Sequence, residues 1–332
     1  MEKGEKRRDK MKIHFDAVTP AQINFQKNIM SALRSRGHTV ILTIRPNKYT
    51  ELLLKNLNIN HKLIGIHKKS KIKKIIGAFS NVIHLSRNMK HEKYDLSFGS
   101  IYSVYASSFL RIPSIIFEDD EVTKIQQFFY VPLANTIITP YKFRTSFGKK
   151  HIRMMGYKEL AYLHPKYFKP DREILDYLQI SKDEKYIIIR WNTWDAIHDV
   201  GKRGFDVDYI LKAIKKMENY ATVFISTERD IPRSLQKYKI KIPFDKIHHA
   251  LYYAQLLLSD TQTMSTEAAI LGTPTIRCNS FVGPNDDSNY IELEKKYKLM
   301  FNFRNSVSAI NKTIELINEP NIKGIWLSLI HI

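Results

Sequence analysis

Cysteine is nearly absent from this chain of 332 residues, in which Cys278 carries the one thiol. A single thiol excludes a disulfide framework and a cysteine-rich metal site, and it fits a reducing cytosol. No apolar run in the sequence approaches the roughly 18 residues that are needed to span a bilayer. The N-terminal MEKGEKRRDK has no hydrophobic core behind it, as a secretory signal would require. These absences predict a cytoplasmic protein.

Glycine-rich and metal-binding motifs are missing as well. The first predicted strand–loop–helix unit lacks G-x-G-x-x-G, which argues against a dinucleotide site. No second histidine or carboxylate lies at metal-ligand spacing from His198 and its neighbour Asp199, so we predict no metal site. We also expect no cofactor apart from the substrates themselves.

Positive charge, by contrast, is in excess, and the formal net charge is +20. Such an excess suits nucleic acid, an anionic membrane or a polyanionic substrate. The one dense cluster, residues 67–74, is either a solvated helix start or a surface, Lys68–Lys74, for peripheral contact with anionic lipid. The cluster lacks interleaved aromatic residues and no nucleic-acid-binding module is visible, so we do not expect a nucleic-acid partner.

Apolar periodicity predicts strands alternating with helices, which indicates an α/β protein with parallel, doubly wound sheets. In the first half the predicted strands lie near 12–16, 39–44, 63–66, 94–99, 113–117 and 134–139, the last of these closing the domain; helices near 49–57 and 70–89 lie between them. We expect a Rossmann-like domain over 11–155, an interdomain connection over 156–183 and a second Rossmann-like domain over 184–318. Residues 1–10 are expected to form a disordered basic leader, with Met11 a candidate for the true start, and residues 319–332 a truncated or artefactual tail.

Polar side chains follow three strands of the first domain. Asp16, Ser100 and Glu118 stand at C-terminal strand ends, where doubly wound sheets bind ligands, so we expect them on one rim. Glu118 also opens a run of four acids that ends at Glu121. If partly buried, such a run raises at least one carboxyl pKa and supplies a general base. The alternative is a solvated helix N-terminus, where acids complement the helix dipole.

The second domain begins with a strand near 186–190 that leads into a long loop, residues 190–204. In a cleft, tryptophan stacks on a base or sugar, and lysine or arginine binds phosphate. His198 beside Asp199 is either a catalytic acid/base or a residue that stabilises the loop by a hydrogen bond. The candidate binding residues of this loop are Trp194, Asp195, Asp199, Lys202 and Arg203.

Residues 256–279, LLLSDTQTMSTEAAILGTPTIRCN, predict a buried strand, a polar turn, a helix ended by Gly272 and Pro274, and a second strand. A helix entered through small hydroxylated residues presents unpaired N–H groups and a positive dipole end, which suit phosphate. Glu267 is expected in the first helical turn, within reach of sugar hydroxyls. The alternative is a plain strand–helix connection capped by Ser265 or Thr266. The candidate substrate-binding residues are Thr261, Thr263, Met264, Ser265, Thr266 and Glu267.

This stretch resembles the nucleotide-sugar motif of GT-B enzymes, especially UDP-N-acetylglucosamine 2-epimerases and MurG-like glycosyltransferases. In those families a glycine-bearing turn precedes a helix that carries a ribose-binding Glu and ends in Leu-Gly-x-Pro. Glu267 and the run Leu271-Gly272-Thr273-Pro274 match that pattern, whereas the turn Thr261-Gln262-Thr263 has no glycine.

From Met11 to about Ile317 the chain is identified as a member of a prokaryotic family, domain of unknown function 354. The segments that carry this resemblance are KIHFDAVTP, RGHTV, FGS, IPSIIFED, GYKELAYLHP, FKPD, WDAIHDVGKRG, FISTE and IHHALYYAQLLLSDTQTMSTEAAILGTPTI. The family is similar in fold to GT-B sugar-nucleotide enzymes, which implies a GT-B-like pair of Rossmann-like domains with an active site in the cleft between them.

Several positions depart from these relatives. Gln22 stands where the family usually carries a His, which in GT-B transferases is often the base that activates the acceptor. Epimerases use an Asp where this chain has Gly99-Ser100-Ile101, and a His-Arg-Arg-Glu run where it has Arg190-Trp191-Asn192. Glu118 does match an epimerase catalytic carboxylate. The resemblance therefore favours sugar transfer over epimerisation.

We expect a metal-independent, glycosyltransferase-like enzyme that uses a UDP-sugar donor and an unidentified acceptor in cell-surface polysaccharide or glycolipid synthesis. Glu267 is expected to bind ribose, residues 263–266 the pyrophosphate, and the tryptophan loop the donor, while Asp16 or Glu118 deprotonates the acceptor. Two alternatives stay open: a UDP-N-acetylhexosamine 2-epimerase-like isomerase or hydrolase, and a non-catalytic protein that binds a sugar nucleotide or a polyanion.

Overall fold

The structure, a computed structural model, describes residues 10–65, 71–192 and 204–330, with the side chains of 71–76 left out. These residues divide into two compact units. The first contains the described residues up to Glu118, with Lys124–Thr139 and Ser146–Met154. The second contains Asp119–Thr123, Pro140–Thr145 and the described residues from Met155 onward.

The first unit alternates strands and helices along the chain, in the order β1 (Lys12–Ala17), α1 (Pro20–Ser35), β2 (Thr39–Ile44), α2 (Lys48–Asn56), β3 (Lys62–Leu63), α3 (Lys71–Glu92), β4 (Leu96–Gly99), α4 (Ile101–Leu110), β5 (Ser114–Phe117), α5 (Lys124–Tyr130), β6 (Thr136–Pro140) and β7 (His151–Met154). α1 illustrates how the sequence sets a boundary. The Thr19 hydroxyl accepts a hydrogen bond from the Gln22 N–H, and Pro20 occupies the first turn, where its missing N–H costs nothing.

The sheet of the first unit has seven strands in the order β3-β2-β1-β4-β5-β6-β7, and its pairings from β3 to β6 are parallel. The chain order reverses between β1 and β4, which lie side by side in the middle of the sheet. The C-terminal ends of these two strands therefore form a switch point, the place where doubly wound sheets bind ligands.

Two strand predictions for this unit need correction. The strand near 134–139 corresponds to β6, but it does not close the domain, because β7 follows it. β7 lies at the edge of the sheet and none of its four residues is fully buried, so it lacks the apolar run that marks a core strand. The strand near 63–66 is shorter than predicted, since β3 consists of Lys62 and Leu63.

The second unit continues the alternation with α6 (Leu160–Leu163), α7 (Ile174–Leu178), β8 (Tyr186–Arg190), α8 (Val207–Met217), β9 (Thr222–Ser226), α9 (Ile247–Tyr253), β10 (Leu256–Ser259), α10 (Thr263–Ile270), β11 (Thr275–Cys278), α11 (Ser288–Lys295), β12 (Met300–Phe303), α12 (Ser306–Ile317) and α13 (Ile322–Leu329). The segment 156–183 thus carries α6 and α7 and belongs to this unit. α13, which the sequence pattern does not predict, buries Ile322 and Trp326.

The sheet of the second unit has five strands in the order β12-β11-β10-β8-β9, all paired in parallel. Its centre is apolar on both faces, because Ile187–Ile189 of β8 and Leu256–Leu258 of β10 have no accessible surface. A strand covered by helices on both faces needs such a continuous apolar run. The predicted buried strand at the start of residues 256–279 is therefore confirmed.

Candidate functional site

The junction between β10 and α10 is a tight polar turn. The Ser259 hydroxyl accepts the Thr261 N–H at 3.0 Å and lies 2.9 Å from the Thr261 hydroxyl. α10 begins at Thr263, and no side chain among the described residues caps it. Because the first N–H groups of a helix have no partner within the helix, this uncapped end offers donors to an anion. Its first turn is open, since Gln262, Thr263 and Met264 are partly exposed.

Ser265 and Thr266 lie inside α10, so the alternative that one of them caps the helix is wrong. The Ser265 hydroxyl donates to the carbonyl of Thr261 at 2.6 Å, and the Thr266 hydroxyl donates to the carbonyl of Gln262 at 3.5 Å. Both residues are buried. Both hydroxyls donate their hydrogen bonds to nearby backbone carbonyls. The N–H groups of the first turn are therefore the donors available to a ligand.

Glu267 lies in the second turn of α10, not in the first as the sequence suggests, since the helix begins at Thr263. Its carboxylate is buried, and one oxygen, Oε1, receives both of its hydrogen bonds. The Tyr162 hydroxyl donates to Oε1 at 2.7 Å, and His248 Nε2 lies 3.0 Å from the same atom. No hydrogen bond to Oε2 is present in the part of the chain that the structure describes. The carboxylate is thus fixed through one oxygen.

The pKa of Glu267 lies below its ordinary value. Burial alone raises the pKa of a carboxyl, but the nearby His248 and the two hydrogen bonds to Oε1 outweigh that effect. The Tyr162 hydroxyl, which shares the buried site, has its pKa raised well above the ordinary value by burial and by Glu267, so it remains a donor. Glu267 is therefore an ionised carboxylate at neutral pH.

Asp260, directly after β10, connects the turn to the segment that contains the predicted tryptophan loop. Its Oδ1 accepts the Asn192 N–H at 2.8 Å and its Oδ2 accepts the Phe205 N–H at 3.1 Å. These two residues flank positions 193–203. The predicted site residues Trp194, Asp195, His198, Asp199, Lys202 and Arg203 all lie outside the described residues. The buried carboxylate of Asp260 thus binds the chain on both sides of these six residues.

In the first unit, two of the three residues expected on one rim are in contact, since the Ser100 hydroxyl donates to Asp16 Oδ2. Asp16 Oδ1 accepts from the Thr43 hydroxyl at 2.6 Å and forms an ion pair with Arg45. Gly99 makes this approach possible: its φ is +152°, and a Cβ there would collide with the carbonyl oxygen of Asp16.

Asp16 has a pKa below the ordinary value. Burial raises it, but the charge of Arg45, the proximity of His14 and the hydrogen bonds from Arg45 and Ser100 outweigh burial. His14 in turn has its pKa lowered to about 4, chiefly by burial. An ionised, fully hydrogen-bonded carboxylate with no accessible surface is a poor proton acceptor. The environment of Asp16 suits positioning better than base catalysis.

The four acids from Glu118 to Glu121 separate into distinct environments. Glu118 follows β5 and accepts the hydroxyl of Tyr130. In the second unit, Asp119 pairs with Lys158 at 2.5 Å. Glu121 is buried, pairs with Arg144 at 3.1 Å and accepts the Ser288 N–H at 2.5 Å. A solvated helix N-terminus is therefore the wrong description for Glu121.

Two carboxyls of the second unit have clearly raised pKa values, and neither belongs to that run. Burial, followed by the proximity of Asp120, raises the pKa of Asp287 to about 8. Burial also raises the pKa of Glu159 to about 8. Asp287 Oδ1 accepts the Glu121 N–H at 2.7 Å, which explains how a largely buried carboxyl remains hydrogen-bonded.

Sequence reasoning missed Tyr162, His248, Arg45 and Asp260. Asp260 has a detectable signal, since a charged residue directly follows a buried strand. Arg45 has the same signal, because it directly follows β2. Tyr162 and His248 have none, because each reaches Glu267 from a different element. Within the described residues, no group of three or more His, Cys, Asp or Glu side chains could bind a metal ion. No helix in the same part of the chain combines the length and apolar character that crossing a bilayer requires.

The comparison with protein families identifies one relationship over nearly the whole chain. The profile of the family described as "Protein of unknown function (DUF354)" matches residues 11–323. An uncharacterized protein of Methanocaldococcus jannaschii, MJ0665, is 25% identical over 278 residues, which cover 80% of this chain and 81% of that protein.

Solved structures with the same fold include sugar-nucleotide enzymes. The UDP-GlcNAc 2-epimerase of Neisseria meningitidis bound to UDP-GlcNAc has a TM-score of 0.71 and 12% identity, with 94% of this chain and 93% of that chain covered. The glycosyltransferase SsfS6 of Streptomyces sp. SF2575, complexed with thymidine diphosphate, has a TM-score of 0.60 and 11% identity, with 96% and 94% covered. The predicted GT-B-like α/β class, with two Rossmann-like parallel sheets, is confirmed.

Proposed function

Since the chain belongs to the DUF354 family, whose description states no activity, we propose a function from the chain's own site. The chain is proposed to be a glycosyltransferase-type enzyme with a UDP-sugar donor. The observation that carries this proposal is the Glu267 carboxylate, with Oε1 fixed by Tyr162 and His248 and no such bond from a described residue at Oε2. An ionised oxygen with its lone pairs available can accept from the two vicinal hydroxyls of a ribose.

The first turn of α10 is the proposed pyrophosphate site. Its unpaired N–H groups and positive dipole end favour an anion, and Gln262, Thr263 and Met264 keep it partly exposed. Because the Ser265 and Thr266 hydroxyls donate to carbonyls, the contacts proposed here come from the backbone. Lys202 and Arg203 are proposed to add positive charge, and Trp194 to stack on the donor.

Departure of a nucleoside diphosphate leaves negative charge on its phosphates. A helix end and basic side chains that face this charge stabilise the transition state without a metal ion. We therefore propose a metal-independent transfer, in which the N-terminal turn of α10 faces the charge that develops as the bond from the sugar to the diphosphate breaks.

Glu118 is the proposed base that deprotonates the acceptor hydroxyl, in preference to Asp16. Glu118 stands at the C-terminal end of β5 and is only partly buried, and the Tyr130 hydroxyl orients its Oε2. Asp16 is fully buried, and Arg45, Thr43 and Ser100 occupy its oxygens. His198 remains a second candidate for acid/base chemistry, although it lies outside the described residues.

A 2-epimerase-like isomerase or hydrolase of UDP-N-acetylhexosamine is the second candidate. The position of Glu118 after β5 favours it, because the resemblance to epimerases assigns a catalytic carboxylate there. Incubation of the protein with UDP-GlcNAc alone separates the two proposals, since an isomerase or hydrolase forms product without an acceptor. A protein that binds UDP but yields no product with any acceptor is the non-catalytic alternative.

Location and pathway follow from the same proposal. We propose a cytoplasmic enzyme of cell-surface polysaccharide or glycolipid synthesis, with peripheral contact to anionic lipid through Lys68–Lys74. Part of that segment, residues 68–70, lies outside the described residues. Flotation with vesicles that contain anionic lipid, compared with neutral vesicles, tests the contact, which should weaken as salt increases.

Glu267→Gln tests the donor site directly. The substitution keeps the size of the side chain but removes the charge, so UDP binding should weaken by about 1.5 kcal/mol, roughly tenfold in Kd. Isothermal titration calorimetry measures the change. Glu315→Gln is the matched control, because its side chain is 64% exposed and lies on α12. Equal UDP affinity in both variants would contradict the assignment of Glu267.

A further inference from the structure

Arg45 is a buried arginine whose donors are only partly used. It follows β2 and is 3% exposed. Its Nη1 donates to Asp16 Oδ1, but Nε and Nη2 are both buried without a hydrogen-bond partner among the described residues. Buried donors without a partner are uncommon, because each loses its hydrogen bonds to water without replacing them.

The two unpartnered atoms form one edge of the guanidinium group. Nε–H and the adjacent N–H of Nη2 point in nearly the same direction and match the spacing of two oxygens of a carboxylate or a phosphate. An oxyanion gives each donor its own oxygen and adds the negative charge that complements the guanidinium, which a water molecule does not. The geometry of the unused edge therefore selects a two-oxygen acceptor.

Gln26, a second buried side chain that contacts Asp16, also retains an unused polar atom. Gln26 donates from Nε2 to the carbonyl of Asp16 at 3.0 Å, and its buried Oε1 also lacks a partner in the described part of the chain. Asp16 is thus contacted by two side chains that each retain unused polar atoms, donors on Arg45 and an acceptor on Gln26.

The position of Arg45 in the fold agrees with ligand binding. Asp16 lies near the C-terminal end of β1 and Ser100 follows β4, and these two neighbouring strands form the switch point of the sheet. Arg45 lies over the ring of Tyr102 at 4.8 Å, and that residue is partly exposed. Because Nε and Nη2 are both buried, an oxyanion reaches them only when neighbouring side chains move. The net charge of +20 attracts anions toward the molecule over longer distances.

We propose that Arg45 forms the base of an oxyanion site in the first unit, which binds a carboxylate or phosphate group through Nε and Nη2. Asp16 orients the guanidinium through Nη1, and Thr43 and Ser100 orient Asp16. None of these residues belongs to the UDP site proposed for the second unit, so each proposal can fail without the other. If the protein is a transferase, this site selects an acidic acceptor.

The resonance of the Arg45 Nε–H group provides a direct test. In the full-length, nitrogen-15-labelled protein, inorganic phosphate and acetate should shift this resonance saturably, whereas uridine, which carries no oxyanion, should leave it in place. Arg45→Lys, which keeps the charge but lacks the fork, assigns the resonance and should bind phosphate at least tenfold more weakly. Arg87→Lys, at an exposed position on α3, is the control and should bind phosphate like the parent.

The source of the oxyanion is resolved by comparing ligands. Glucuronate and glucose 1-phosphate should bind tighter than acetate and inorganic phosphate if the group belongs to a sugar-like acceptor, and equal affinity would assign the fork to a free anion. Absence of any saturable shift in the parent protein would overturn the oxyanion site, and so would unchanged phosphate affinity in a folded Arg45→Lys variant. The measurement on the parent protein keeps the proposal testable even if the variant does not fold.

Discussion

Tyr162 and His248 determine how Glu267 is presented, because both contact the same carboxylate oxygen. Tyr162→Phe removes one of these donors and keeps the ring, so Glu267 should lose orientation and UDP binding should weaken about fivefold, corresponding to a hydrogen bond of about 1 kcal/mol. Calorimetric titration with UDP measures the effect. Tyr167→Phe is the control, since Tyr167 is 53% exposed. Identical UDP affinity in both variants would show that Tyr162 does not position the site.

Asp287 gives a pH dependence whose sign follows from its pKa of about 8 in the folded chain against an ordinary value of 3.8. Between these two values the folded state binds more protons than the unfolded state, so the free energy of unfolding falls as pH rises. Asp287→Asn, which can still accept the Glu121 N–H, should flatten this decline. Urea unfolding at several pH values from about 4.5 to about 8 in parent and variant measures it. Parallel curves would contradict the role of Asp287.

Single residues are predictable from the sequence where their signal is local. Asp16 and Ser100 are identifiable because each stands at the C-terminal end of a predicted strand, and Glu267 because it lies in a segment that resembles the GT-B nucleotide-sugar motif. Tyr162 and His248 are not, because they approach Glu267 from 105 and 19 residues away in the chain. Contacts of that kind depend on tertiary packing, which no local pattern encodes.

The turn between α10 and β11 depends on Gly272, whose φ is +75°. A Cβ there would also lie 2.6 Å from Leu327 Cδ2 and 2.7 Å from Ile330 Cδ1. Gly272→Ala should therefore destabilise the protein by about 1–2 kcal/mol for the left-handed backbone and by about 1–3 kcal/mol more for overpacking against α13.

Gly148→Ala is the control for this turn. Gly148 has a φ of +67°, but a Cβ added there would meet no described atom within 4 Å, so the substitution should cost only the backbone part. Chemical unfolding of the two variants measures the difference. Equal losses of stability would show that the contact with α13 contributes nothing at Gly272.

Elements are predictable where burial imposes a pattern. β8 and β10 are covered on both faces, so their continuous apolar runs mark them in the sequence. β7 lies at a sheet edge with no fully buried residue, and it leaves no such run. α10 also begins earlier than the sequence predicts, because its first turn has no side-chain cap among the described residues to mark it.

At the scale of the whole molecule, the alternation of strands and helices is sufficient to predict two parallel α/β sheets, which the structure contains. Function is harder than fold to predict from the sequence, because the proposed site residues are spread over many elements. Several of them also lie within residues 193–203, outside the described residues. The net charge of +20 is ambiguous on its own, since it fits an anionic substrate as well as a nucleic acid.

The central claim is that the second unit binds a uridine nucleotide, and calorimetric titration of the protein with UDP, UDP-GlcNAc, ADP and a short duplex DNA tests it most directly. We expect saturable binding of UDP and UDP-GlcNAc, much weaker binding of ADP, and no DNA binding at physiological salt. DNA binding that weakens as salt increases, together with no binding of UDP, would contradict the account and assign the positive charge to nucleic acid.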